Sequence, residues 1–167
     1  RESLDRAALS FGMPMGPLTL ADQVGLDICL EVARSLRDGL DVPVAETPDW
    51  LRDKVNEGHT GKKAGKGLYD YNSEDPPRTP EDDADQAVID RLILPMCNAA
   101  VECLRKGVTP EADTVDAAMI FGTGWPPFRG GPLHYARIRR DIPDALHRLE
   151  DRHGPRFAPD PGWADLG

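Results

Sequence analysis

Lysines set between glycines make Gly61-Lys62-Lys63-Ala64-Gly65-Lys66-Gly67-Leu68-Tyr69-Asp70-Tyr71 the stretch of this chain best suited to holding a ligand. Converging main-chain amides flanked by ammonium groups receive a phosphate or a carboxylate. Spacing alone favours the plainer reading, an ordered turn whose far end is anchored by Leu68, Tyr69 and Tyr71. Met13, Met15 and Met119 could line a slot for an acyl chain, because thioethers adapt to ligands, although core filling is their commoner use. Asp22, Asp27, Asp116 and Glu102 fall on or beside apolar helix faces. Helix caps and helix-end hydrogen bonds are the expected role of such acids.

Other chemistry is missing from the pattern. His59, His134, His147 and His153 are scattered, with no second histidine or carboxylate at metal-ligand spacing, so no metal site is expected. There is no Gly-x-Ser-x-Gly turn for a nucleophilic serine. Cys29, Cys97 and Cys103 are an odd number without regular spacing, which gives neither a disulfide framework nor a zinc site and suits a reducing compartment. No Gly-x-Gly-x-x-Gly between a strand and a helix is present to receive a dinucleotide. No catalytic residue can be assigned.

The elements that must position the loop are helices joined by a repeated bend. Phe11-Gly12-Met13-Pro14-Met15-Gly16-Pro17-Leu18 and Phe121-Gly122-Thr123-Gly124-Trp125-Pro126-Pro127-Phe128-Arg129-Gly130-Gly131-Pro132-Leu133 each follow one apolar helical stretch and lead into another. Proline fixes φ and glycine permits close backbone approach, so each is a defined elbow. Ile28, Val32 and Leu36 mark a helix from about Asp27 to Gly39, and Thr47-Pro48 predicts a cap and first turn for another that ends near Gly58. Ile89, Leu92, Ile93, Met96, Cys97, Ala100, Val101 and Leu104 form a long helical face interrupted by Pro95. Thr109-Pro110 repeats the capping pattern ahead of Val115, Ala118 and Met119, and helices are expected over 133–140 and 143–153. No alternating strand is found, so the class is all-α. The domains read as a first repeat over 1–71, an acidic proline-bearing linker over 72–85 that includes Glu81-Asp82-Asp83, and a second repeat over 86–167.

Size and charge bound the rest. A chain of 167 residues with 40% hydrophobic and 29% charged residues can build its own core. Its formal charge of −9 argues against nucleic acid as partner. Local basic clusters persist at Lys62-Lys63-Ala64-Gly65-Lys66 and Arg137-Ile138-Arg139-Arg140, either of which could meet a small anion. No run approaches the roughly 18 apolar residues of a membrane span, so an integral membrane protein is not expected. The opening, from Arg1 to Leu9, reads as the back half of a helix in a longer polypeptide.

These elements together resemble the C-terminal helical region of the 3-hydroxyacyl-CoA dehydrogenases, and most closely that of the multifunctional fatty-acid β-oxidation proteins. The family's Gly-x-Pro-x-Gly-Pro elbow is matched by Gly12 to Pro17, its acid and Gly-Leu-Asp by Asp22 and Gly25-Leu26-Asp27, its Gly-Lys-Lys-x-Gly-x-Gly-Phe-Tyr loop by Gly61 to Tyr69 with Leu68 in place of the aromatic, and its Pro-Pro-Phe-x-Gly-Gly by Pro126 to Gly131. The resemblance implies two tandem helical repeats packed as a pseudo-dimer, like the C-terminal domain of 6-phosphogluconate dehydrogenase. It implies a preceding domain that binds NAD and carries the catalytic His/Glu pair, with acyl-CoA in the cleft between. Pro14, Met15, Gly16, Pro17, Lys62, Lys63, Gly65 and Gly67 are then the candidate substrate-binding residues. The family's asparagine position in the second copy corresponds to Asp90. A thiolase subunit is expected as a further partner and the cytoplasm as the location, and this chain alone is expected to be inactive. The alternative is a free-standing helical module that binds acyl-CoA or protein without catalysis.

Overall fold

Apolar stripes at helical spacing fold as eight α-helices among the described residues of a computed structural model, which describes 1–39, 46–73 and 85–166. They are α1 (Glu2–Phe11), α2 (Pro17–Val24), α3 (Leu26–Gly39), α4 (Asp49–Asn56), α5 (Gln86–Arg105), α6 (Ala112–Thr123), α7 (Pro132–Ile138) and α8 (Ile142–His153). No strand forms in the described residues beyond the isolated bridges Gly61–Lys66 and Lys66–Asp70, so the all-α expectation holds. None of the described helices is long and apolar enough to cross a membrane.

The chain divides into two units, one made of Arg1–Arg6 with Met15–Asp83 and the other of Ala7–Pro14 with Ala84–Gly167. Much of the expected linker, residues 74–84 with Glu81-Asp82-Asp83, lies outside the described residues. Its last residue, Asp85, instead caps α5 by accepting from the Ala87 amide at 2.9 Å.

Apolar burial is concentrated in the second unit. Leu94, Cys97, Trp125, Ile142 and Leu146 are fully buried in one cluster, against which Met13 and Met119 pack as core filler. Ala100, Val101, Val115 and Leu133 form a second cluster. α5 continues through Pro95, whose missing N–H leaves one intrahelical bond unmade. The chain end is strapped to α5. Asn98 accepts from the Asp160 amide and the Trp163 indole at 2.8 and 2.7 Å, and Arg105 forms a bidentate pair with Asp160 at 2.7 Å. Cys97, buried among apolar side chains, has its thiol pushed up to about 12, which makes it an inert core residue.

Among its described residues the first unit buries fewer apolar side chains. Leu26 and Leu68 are the buried hydrophobics among its described residues, while Leu20, Val24, Ile28, Val32 and Leu36, spaced by four, stay about half exposed along α2 and α3. Two expected caps differ from the structure. Pro48 holds the cap position of α4 and Thr47 accepts from Arg37 at 3.1 Å, while α6 starts at Ala112 behind Glu111, so Thr109 and Pro110 precede the helix. Both Thr-Pro pairs mark helix starts correctly to within a few residues.

This distribution of burial predicts native-state hydrogen exchange. Amides of α5 and α8 should exchange more slowly than those of α3 and α4 by about tenfold or more. Equal protection in the two sets would contradict it.

Candidate functional site

Asp5, Asp22 and Asp116 are the buried carboxylates of the described residues, at 6%, 1% and 5% exposure. A buried carboxylate is tolerated only where donors converge on it. Each of these finds its donors at the start of a helix or in a turn.

In the first unit, α1 carries Asp5 to the N-terminus of α2. Its two oxygens accept from the Leu18 amide at 2.7 Å and the Thr19 amide at 3.0 Å, and from the Thr19 hydroxyl at 2.6 Å. These amides belong to the first turn of α2, where the N-cap side chain would ordinarily bind. The cap residue here is Gly16, whose missing Cβ is the space that the Asp5 carboxyl occupies. Pro17 supplies a first helical residue with no N–H to satisfy.

The second unit repeats the device. Asp116 of α6 accepts from the Leu133 amide at 2.7 Å and the His134 amide at 2.9 Å, at the start of α7. Gly131 is the cap residue, a Cβ there would collide with Asp116, and Pro132 follows it. Burial raises the Asp116 pKa above the ordinary 3.8, against the lowering effect of its two amide donors. Arg129 locks the turn between: its Nε donates to the Phe11 carbonyl at 2.7 Å, and its guanidinium stacks 4.1 Å from the Phe11 ring centroid. Phe11, Trp125 and Tyr135 pack edge to face around that contact. Asp90 is consumed by an ion pair, meeting Arg139 in bidentate fashion at 2.6 and 2.8 Å.

The glycine-lysine loop is organised by Asp22 of α2. That carboxylate accepts from the Leu68 amide at 2.8 Å, the Tyr69 amide at 2.9 Å and the Tyr71 hydroxyl at 3.1 Å. Tyr69 then reaches the elbow, its hydroxyl donating to Asp5 at 3.0 Å. One residue thus binds both aspartates and fixes the loop to the elbow. Burial and the neighbouring carboxylates raise both tyrosines, Tyr71 to about 12 and Tyr69 further.

Of the predicted site residues, Met15, Gly16, Pro17, Lys62, Lys63, Gly65 and Gly67 all lie in the first unit, whereas Pro14 belongs to the second and packs against Gly124. Lys62 and Lys63 form a 3₁₀ turn closed by Gly65 at φ 74°, and their side chains are exposed, as is that of Lys66. Gly67 is buried with no room for a Cβ beside Asp22. The amides of Gly61, Ala64, Gly65 and Gly67 bond to carbonyls within the loop, and those of Leu68 and Tyr69 to Asp22. What the loop offers an anion is therefore its lysine ammonium groups more than an amide cradle. Sequence reasoning missed Asp5; the available signal was a Gly-Pro-Leu helix start with no capping side chain of its own. No group of three or more His, Cys, Asp and Glu side chains that could hold a metal occurs among the described residues.

Residues 1–71 match the family model described as the C-terminal domain of 3-hydroxyacyl-CoA dehydrogenase, a span that ends with the loop tyrosines. Relatives described as fatty acid oxidation complex subunit alpha are 36% identical over 172 residues in Vibrio cholerae serotype O1 and 32% over 173 in Shewanella oneidensis, each across 95% of this chain. The chain spans about a quarter of their length, 24% in both cases. Its fold is shared with 3-hydroxybutyryl-CoA dehydrogenase from Escherichia coli K12, at a TM-score of 0.78 and 19% identity over 98% of this chain and 53% of that one. The dehydrogenase part of multifunctional enzyme 1 from C. elegans gives 0.68 and 22% over 100% and 42%.

The cap geometry inverts an ordinary rule. Serine is a preferred N-cap, yet Gly16→Ser and Gly131→Ser should each destabilise by roughly 1–3 kcal/mol, because the new side chain enters the aspartate's place. Denaturant titration checks this, and a gain in stability would refute it. For the tyrosines, a raised folded-state pKa gives stability that is present below the ordinary value of 10 and lost as the pH rises towards about 12. Tyr71→Phe should flatten part of that alkaline loss, followed as unfolding midpoint against pH.

Proposed function

We propose, from the premise that its residues 1–71 belong to the 3-hydroxyacyl-CoA dehydrogenase C-terminal domain family, that this chain is the substrate-cleft and assembly region of an NAD-dependent 3-hydroxyacyl-CoA dehydrogenase of fatty-acid β-oxidation. The observation that carries the reading is the Asp5–Tyr69–Asp22 network, which ties the start of α2 after the first elbow to the end of the lysine loop within the matched span. Of the candidate residues, Met15 and Pro17 belong to the elbow and Lys62 and Lys63 to the loop. Ammonium groups there suit the phosphates of a CoA thioester, and the adjacent elbow suits its acyl end.

The nicotinamide cofactor does not fit the residues present. No strand leading through a glycine-rich turn into a helix exists in the described part, so no dinucleotide cradle is formed here and no hydride step is derived for this chain. NAD and the acid/base pair are assigned to a preceding domain of the same polypeptide, in keeping with relatives about four times as long. The domain reading that accompanies this is a first helical repeat over 1–71 and a second over 86–167, joined by 72–85. Enoyl-CoA hydration elsewhere in the polypeptide, a thiolase subunit as further partner and a cytoplasmic location complete the proposal. The relatives' description as a complex subunit supports an assembling partner.

The test uses the whole parent polypeptide. It should reduce acetoacetyl-CoA with NADH, and Lys62→Ala/Lys63→Ala should raise KM for the thioester by about tenfold with kcat little changed, the pattern of lost charge-assisted binding. An unchanged KM removes the lysines from the site. A natural product no longer than 167 residues that binds acyl-CoA by itself would support the free-standing module instead.

A further inference from the structure

The basic cluster Arg137-Ile138-Arg139-Arg140 is not used by the reading above, and the structure separates its arginines into two kinds. Arg139 is spent: it pairs with Asp90 and also reaches Asp141 at 3.1 Å, its side chain only 20% exposed. Arg137 and Arg140 have no ion pair or hydrogen-bond partner among the described residues, and both line one cavity of about 210 Å³ in the second unit. The remaining wall is apolar, from Ala136, Pro143, Trp163 and Leu166, and no carboxylate lines it among the described residues.

Two features make this a built recess. The Trp163 ring is held in place because Asn98 fixes its indole N–H at 2.7 Å, while Trp163 and Leu166 both pack on the apolar clusters beneath. Arg137 lies on the last turn of α7 and Arg140 two residues beyond its end, with Arg139 between them anchored by its ion pairs. We propose that this cavity is a binding site for a small monocarboxylate with an apolar tail of about six carbons. A void of about 150 Å³ accommodates a benzene-sized molecule, so 210 Å³ takes a chain or ring of that size together with its head group. Guanidinium groups are the side chains that match the planar carboxylate, and an apolar wall selects against a bare ion.

The experiment is a titration of the full chain with hexanoate, read by heteronuclear NMR, with acetate, hexanol and inorganic phosphate as comparison ligands. Hexanoate should give saturable shifts that include the Trp163 indole signal, and acetate and hexanol should each bind about tenfold or more weakly, since each lacks one half of the recognition. Arg137→Ala/Arg140→Ala, both exposed positions, should abolish the shifts while the unfolding midpoint stays in place. If that pair does not fold, Arg140→Ala alone should weaken hexanoate and leave hexanol unchanged. Absence of saturable hexanoate shifts, equal binding in the double variant, or phosphate competing as well as hexanoate would overturn the proposal.

Discussion

A buried carboxylate needs donors, and the first turn of a helix has donors with no partner of their own; the two elbows of this chain are built on that complementarity. An N-cap side chain would satisfy the same amides but would tie down only its own helix. Here the acid comes from the preceding helix, 13 residues away at Asp5–Leu18 and 17 at Asp116–Leu133, so one interaction fixes both helices and the bend between them. The favourable sign of a carboxylate at the positive end of the helix dipole adds to it. Glycine at the cap is then required by volume, and proline after it by the absence of a donor to leave unsatisfied.

From this constraint the candidate site follows. Asp5, already holding α2, has capacity left for the Tyr69 hydroxyl, and Asp22 takes the amides of Leu68 and Tyr69. The loop is consequently held chiefly by polar contacts, in a unit whose buried hydrophobics among the described residues are Leu26 and Leu68. Fully satisfied polar networks define geometry more sharply than they add stability, which suits a face that must keep its lysines in water.

How much of this could be read from the residues depends on whether the cause is local. The helices were legible from their apolar spacing, and the elbows from glycine and proline, because those signals act within a few positions. Asp22 and Asp116 could be expected to bond helix ends, since each sits on or beside an apolar face. Asp5 could not, because its role depends on a bend eleven residues later that brings Gly16 against it. The loop shows the same limit: glycines suggested free amides for an anion, but Asp22, some 46 residues earlier than Leu68, had already claimed two of them.

The two elbows share the capping aspartate and diverge in what they do with the space around it. In the first unit the carboxylate also binds the Tyr69 hydroxyl, which ties it to a loop whose lysines face solvent. In the second, Arg129 lies over the Phe11 ring and near those of Phe128 and Tyr135 and donates to the Phe11 carbonyl, a cation–aromatic contact in the corresponding region. That guanidinium is engaged by a carbonyl and a ring face, where the first elbow has a tyrosine hydroxyl. One capping arrangement therefore occurs in two different settings. One keeps its lysines in solvent, and the other sets a cation–aromatic contact against the buried Phe11.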